Sequence, residues 1–386
     1  MTDHGSSLRV IYLCNEYPPL PHGGVGVFVR GQATELVRAG HEAIVVGVSR
    51  HVDSRHEADD HGVQVVRLPA SGKPFVDAIR SASLIRREVS RWLDHPRAVI
   101  EGSELSFWGM PDRWAPATIA RLHGGHRFFA EAEGRRPKRL RSHIETRSLR
   151  SASHIVGVSQ YVADRTASLI GLDRGGIRVI YNGVDTSKFS PHPTTRAEPE
   201  TVAFAGTLCE KKGLRYLVRA IDLLHQRGRR LKLRIAGQDL GSTKGHGSFL
   251  DEVLADVSDS TRCDVDYVGA LPHDEMAPFY AGASVIVLPS LMEAQGLTWV
   301  EAMACARPVV ASDRGPGPEV IEDGRSGLLT EPTDARALAS TIATVLDDDD
   351  LARRLGRAAR ERAVAQFSLG QATAENLALY HGVANA

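Results

Sequence analysis
The chain has 386 residues, more than one hydrophobic core usually serves, so two domains of somewhat under ~200 residues each are expected. Lysine plus arginine equal aspartate plus glutamate at 47 each, and a composition 42% hydrophobic and 24% charged excludes a disordered or fibrous chain. The balance gives no argument for a nucleic-acid partner, and no apolar run reaches the ~18 residues of a membrane span or follows the plan of a signal peptide, so a cytoplasmic protein is expected.

Short apolar runs rich in β-branched residues alternate with longer amphipathic stretches, the pattern of a parallel sheet covered by helices. Strands are expected at Leu8–Cys14, Glu42–Val48, Val63–Leu68, Ala98–Glu101, Thr118–Leu122, His154–Val158 and Arg178–Ile180, with helices between most of them. The segment SPHPTTRAEPE, Ser190–Glu200, is rich in proline and polar residues, lacks periodicity and reads as a linker. The pattern then restarts with a strand at Thr201–Ala205, a helix over Leu214–Gln226 and a strand at Leu231–Ala236. Further strands are expected at Asp264–Val268, Ser284–Leu288 and Pro308–Ala311, with helices around His273–Tyr280 and Leu297–Cys305. The expected fold is therefore α/β, built from two Rossmann-like domains with parallel sheets, the first over 1–189 and the second over 190–366. The acidic run Asp347–Asp350 reads as a helix junction with a capping role.

Cys14, Cys209, Cys263 and Cys305 lie far apart with no CxxC or Cys/His ligand spacing, so neither a disulfide framework nor a zinc site is expected. Cys14 and Cys305 adjoin apolar segments and read as small buried hydrophobes. No metal and no cofactor are implied.

Three segments carry candidate chemistry. Gly23, Gly24, Val25 and Gly26 follow the first strand and open a helix; glycines let a backbone approach an anion, and the first amides of a helix are unpaired and partly positive. The spacing is not that of a dinucleotide fingerprint, and an ordinary strand-to-helix turn remains the alternative. In AFAGTLCEKKGL, Gly206 ends a strand and Lys211, Lys212 and Gly213 precede a helix, where an ammonium can offset charge on a departing diphosphate; alone, Lys-Lys-Gly is also a common surface turn. In PSLMEAQGLTWVEAM, Glu293 lies in the turn before a helix that begins near Gly296, and Glu301 lies one to two turns inside it among apolar neighbours. Two carboxylates so placed can accept from different hydroxyl pairs of one elongated ligand, with helix amides between them facing phosphates. A sugar nucleotide has that layout.

Taken together, the GGVG loop, ARLHGG, HIVGVSQYVAD, VIYNGVD, KKG and two glutamates seven residues apart resemble glycosyltransferase family 4, over essentially the whole chain. The resemblance implies a metal-independent, retaining hexosyltransferase of the GT-B fold, with two Rossmann-like domains facing across a cleft and the C-terminal helix, 367–386, packing back on the acceptor-binding first domain. The donor would be a UDP- or GDP-linked sugar held by the second domain. The acceptor would be a hydroxyl of a glycan, a lipid-linked sugar or a small-molecule glycoside. The resemblance places Gly23 and Gly24 near the donor phosphates and sugar, His123 near the transferred sugar, Lys212 on the diphosphate, Glu293 on sugar hydroxyls and Glu301 on the ribose. Gly206, Thr207 and Lys211, together with Ala294, Gln295, Gly296 and Leu297, would line the donor site, and Gly269 to Leu271 would pack against the base. His123, Lys212 and Glu293 would be the catalytic group.

The chain departs from the family's pattern in carrying Thr207 where an arginine is frequent, Ala294 and Gln295 in place of a common Gly-Phe, and Ala306 in place of a frequent glycine. The rival readings are a nucleotide-sugar epimerase of the same fold and a non-catalytic sugar-nucleotide binding protein. The basic stretch Arg135 to Arg150 reads first as a solvated helix face and second as a peripheral contact with an anionic membrane surface or a phosphorylated acceptor.

Overall fold
A computed structural model describes residues 7–19, 23–70, 74–111, 114, 117–192, 194–243, 245 and 247–385. The chain divides into two compact units, one of residues 1–183 with 369–386 and one of residues 184–368.

In the first unit the elements run β1 (Arg9–Leu13), α1 (Gly24–Arg38), β2 (Glu42–Ser49), β3 (His56–Asp60), β4 (Val63–Pro69), α2 (Pro74–Val89), β5 (Ala98–Gly102), β6 (Thr118–Leu122), α3 (His126–Ala132), α4 (Arg139–Ser151), β7 (His154–Gly157), α5 (Gln160–Ile170) and β8 (Ile177–Val179). They form one eight-stranded sheet in the order β3-β4-β2-β1-β5-β6-β7-β8. Runs such as AIVV in β2 are buried throughout, because helices cover both faces of a parallel sheet. Register follows the apolar pairs: Val10 of β1 lies beside Ala43 of β2 and Val99 of β5.

In the second unit the order is β9 (Glu198–Ala205), α6 (Leu214–Gln226), β10 (Lys232–Ala236), α7 (Phe249–Leu254), α8 (Asp259–Cys263), β11 (Val265–Gly269), α9 (Met276–Ala281), β12 (Ala283–Leu288), α10 (Leu297–Ala304), β13 (Val309–Ser312), α11 (Gly317–Val320), β14 (Leu328–Thr330), α12 (Ala335–Asp347) and α13 (Asp349–Phe367). Its six strands are all parallel, in the order β11-β10-β9-β12-β13-β14. Helix α6 shows why the pattern folds this way: Leu214, Leu217, Val218, Ile221 and Leu224 recur at three- and four-residue spacing and are all buried. Each such side chain contributes about 1.5–3 kcal/mol on leaving water. Asp348, within the acidic run, caps α13 by accepting the Leu351 amide at 2.8 Å. The final helix, α14 (Leu369–Ala384), returns to the first unit, where Leu379, Tyr380 and Val383 join the core with Tyr12 and Phe28.

The structure corrects two sequence expectations and adds a strand. The first sheet is mixed, because β3 pairs antiparallel with β4 at its edge. Its sequence, HEADD, is solvent-facing and has no apolar alternation to announce a strand; a turn with positive φ at His61 and Gly62 imposes the pairing. The segment read as a linker, Ser190–Glu200, runs into β9, whose first residues are Glu198 to Glu200. Strand β14 lies on a three-residue run too short to stand out. Residues 20–22 of the loop before α1 and Pro193 lie outside the described residues.

Candidate functional site
In a parallel sheet the loops that leave the C-terminal ends of the strands converge at one edge, and ligands bind there. In the second unit those ends are Ala205 of β9, Ala236 of β10, Gly269 of β11 and Leu288 of β12, and every second-unit residue of the expected donor site is one of these ends or follows one. Gly206 and Thr207 leave β9, and a 3₁₀ turn, Glu210–Lys212, then leads into α6. Gly213 ends that turn at φ +73°, where a Cβ would stand 1.9 Å from the Pro289 carbonyl oxygen. Only glycine allows so close an approach. The Leu291 amide donates to the Lys211 carbonyl at 2.8 Å, so the KKG turn lies against the loop after β12.

That contact brings two of the expected residues together. Lys212 Nζ donates to Glu293 Oε1 at 2.5 Å, with the two side chains only 19% and 13% exposed. The Lys212 chain also passes close to Gly206. Three residues beyond Glu293, Gly296 adopts φ +85° at the start of α10; a Cβ there would fall 2.4 Å from the Trp299 ring, whose Nε1 is fixed on the Leu288 carbonyl. Ala294 and Leu297 are half-buried around this turn, and Gln295 is buried. Helix α10 thus begins on a backbone shape that only glycine tolerates, with its first amides at the strand ends.

Glu301, one turn on, is buried, with one partner on each carboxylate oxygen. Tyr280 of α9 donates its hydroxyl to Oε2 at 3.0 Å, and His273 Nε2 lies 3.3 Å from Oε1. Burial and the adjacent Glu301 raise the Tyr280 phenol well above its usual value, so it stays a donor. His273 follows Gly269 and Leu271 in the same loop, which places the segment expected against the base beside the glutamate expected on the ribose. The sequence did not single out His273 or Tyr280; His273 opens a 3₁₀ turn, His273–Glu275, and Tyr280 lies in α9 just after it, with no motif to mark either.

Gly23, Gly24 and His123 belong to the first unit, after the C-terminal ends of β1 and β6. Gly23 donates its amide to Glu16 Oε2 at 3.0 Å, so a carboxylate already takes one amide of the GGVG turn. His123 packs on Phe28 of α1 with ring centroids 5.4 Å apart. Burial and the nearby Arg121 guanidinium push its imidazole down to about 3, leaving it neutral. Beneath the same loop are two buried glutamates that sequence reading passed over. Glu145 Oε2 accepts the Arg127 amide at 3.1 Å. Glu104 accepts from the His123 and Gly124 amides, and burial, with Glu145 nearby, pushes its carboxyl up to about 7. The basic stretch lies on α4 and the turn before it; residues 131–141 are exposed, while Ser142, Glu145, Ser148 and Leu149 face inward. Among the described residues, no group of three or more His, Cys, Asp or Glu side chains is placed to hold a metal, and no helix is long and apolar enough to cross a membrane.

Comparison with known proteins follows the same division. The sequence model described as Glycosyltransferase Family 4 matches residues 22–188, and that described as Glycosyl transferases group 1 matches residues 199–348. The D-inositol 3-phosphate glycosyltransferase of Mycolicibacterium smegmatis is 31% identical, over 98% of this chain and 92% of the relative. Among solved structures, sucrose-phosphate synthase from Thermosynechococcus elongatus superposes with a TM-score of 0.80 at 21% identity, covering 97% of this chain and 99% of that one. Anabaena HepE, solved in complex with UDP and glucose, gives 0.74 at 18%, over 97% and 100%.

Proposed function
The chain belongs to glycosyltransferase family 4, GT-B-fold enzymes that move a sugar from a nucleotide-sugar donor to an acceptor, and from that premise we propose that it transfers a hexosyl group with retention from a UDP- or GDP-linked donor to a hydroxyl. The second unit holds the donor and the first receives the acceptor. The observation that carries this reading is the Lys212–Glu293 pair at the strand ends, followed along α10 by the buried Glu301.

In this reading the donor diphosphate draws the Lys212 ammonium from Glu293. Glu293 then accepts from sugar hydroxyls, and Glu301 accepts from the ribose. The amides around Gly206, Thr207 and Lys211 and those opening α10 face the phosphates, where fixed dipoles stabilise charge as it develops. The leaving phosphate oxygen takes the acceptor proton on the same face of the sugar, so no protein nucleophile is required. His123, half-buried and neutral, offers a hydrogen bond to the sugar or acceptor rather than a charge.

A thermal-shift screen with UDP, GDP and ADP identifies the base, because a ligand that binds only the folded state raises its melting temperature. Incubation with the matching glucose conjugate and inositol phosphate, the acceptor class named for the Mycolicibacterium smegmatis relative, then reports transfer, and proton NMR reads the anomer formed. Lys212→Ala is expected to lower the transfer rate by about 10²–10³-fold, the range for removing one preorganised charge-stabilising donor. An inverted product or an unaffected Lys212→Ala variant overturns the proposal.

A further inference from the structure
Glu301 is held more elaborately than a helix position requires. Its carboxylate has a donor on each oxygen, Tyr280 on Oε2 and His273 on Oε1. His273 is itself fixed from behind: Lys188 Nζ lies 2.8 Å from its Nδ1, and the Phe189 ring packs against the imidazole edge-on at 5.1 Å. Lys188 is fixed in turn by Asp274 Oδ1 at 2.5 Å. Its backbone sits in a turn closed by Asp185 Oδ1, which accepts the Lys188 amide at 3.1 Å, and Arg360 of α13 donates to the Phe189 carbonyl at 3.2 Å.

An ammonium can only donate, so Nδ1 of His273 is the acceptor and the ring proton sits on Nε2, aimed at Glu301. Lys188 therefore sets the tautomer, and the tautomer sets the hydrogen bond to the carboxylate. With one lone-pair direction used on each oxygen, the carboxylate plane cannot turn, and one direction per oxygen remains for a vicinal diol. The His273 side chain is 37% exposed, so this arrangement does not serve to fill a core.

We infer that His273, oriented by Lys188, is a positioning residue that presents Glu301 to the ribose hydroxyls of the donor nucleotide. The inference rests on the reading of Glu301 as the ribose ligand.

Calorimetric titration of the full chain with UDP and with 2′,3′-dideoxy-UDP separates the two ideas, the guanine pair replacing them if the screen selects GDP. The wild type is expected to prefer UDP by about tenfold or more, the worth of a hydrogen bond to a charged group. In His273→Ala that preference collapses while affinity for the dideoxy analogue changes less than about twofold. Lys188→Ala moves the same way by a smaller factor, and His273→Gln, which keeps an amide donor near the Nε2 position, restores part of the preference. Equal weakening toward both ligands overturns the inference, since a merely structural role does not distinguish them. A preference lost in Glu301→Gln but intact in His273→Ala overturns the relay alone. A wild type that binds both ligands alike removes the ribose role of Glu301, and the relay with it.

Discussion

The two units share an architecture but bury charge differently. In the first, Arg121 is fully buried on β6 and forms a two-point pair with Glu101 of β5, Nε to Oε1 at 2.6 Å and a second nitrogen to Oε2 at 3.1 Å. That second nitrogen also reaches Asn376 of α14 at 2.6 Å, while Tyr380 of α14 donates to Glu101 at 2.8 Å and meets the Tyr12 hydroxyl at 3.0 Å. Asn376 continues to Gln32 of α1. A charge pair so deep is weak evidence of stability, but an incompletely paired one is expensive, so the network dictates which helix covers this face. Among the described residues of the second unit no ion pair is buried as deeply: Asp222 and Glu301 are buried but hydrogen-bonded to neutral partners such as Thr261 and Tyr280, and the Lys212–Glu293 pair at the strand ends keeps contact with solvent. Buried charge in the first unit thus ties α14 to the sheet, whereas the candidate Lys212–Glu293 pair of the second unit stays at the surface of its sheet edge.

The comparison breaks most visibly at Arg121. Arg121→Leu leaves Glu101 buried without its partner and is expected to cost the first unit about 3–5 kcal/mol. Hydrogen exchange should show β5, β6 and α14 losing protection while β9 to β13 keep theirs. Adding Glu101→Leu should recover most of the loss, because it removes the orphaned charge.

Glu104 gives a smaller, pH-dependent effect. Its folded carboxyl titrates near about 7, above the ordinary 4.5, so the folded state holds the extra proton and stability falls as pH rises from about 4.5 to 7. Glu104→Gln mimics the protonated form. It should therefore match the wild type at pH 4 and exceed it at pH 8, by on the order of 3 kcal/mol at most in urea unfolding. His123 contributes with the opposite sign, since its depressed value makes its own share of stability fall as pH drops from about 6.5 to 3. A pH-independent gain would place the effect elsewhere.

The smallest effect sharpens the contrast from the other side, since it involves no charge. Ala306, just past the end of α10, holds φ +56°, a left-handed conformation that disfavours a Cβ. The backbone cannot relax, because Gly356 of α13 packs against the Ala306 carbonyl and Arg360 donates to that of Ala304. Ala306→Gly should stabilise the second unit by about 1 kcal/mol, read as a shift of the denaturation midpoint. The transfer rate should not change.

Much of this was legible in the chain. Apolar runs located most strands to within a residue or two, and α6 fell on Leu214–Gln226 as expected, because burial on a sheet or on one helix face imposes a local period. The motif loops were legible too, since glycine and proline punctuate the ends of strands. Lys212 and Glu293 could be singled out by type and context, although their contact spans 81 positions. His273 and Lys188 could not, being 85 positions apart with ordinary surface neighbours.

By itself, then, the sequence determined two α/β units, most of their strands and the loops that carry the candidate chemistry, because periodicity and turn chemistry act between near neighbours. The tertiary structure decided the antiparallel edge of the first sheet, the burial of Arg121 under α14, the left-handed Ala306 and the clamp on Glu301. Each of these depends on which distant segment packs alongside, and that is fixed only when both faces of a sheet are covered.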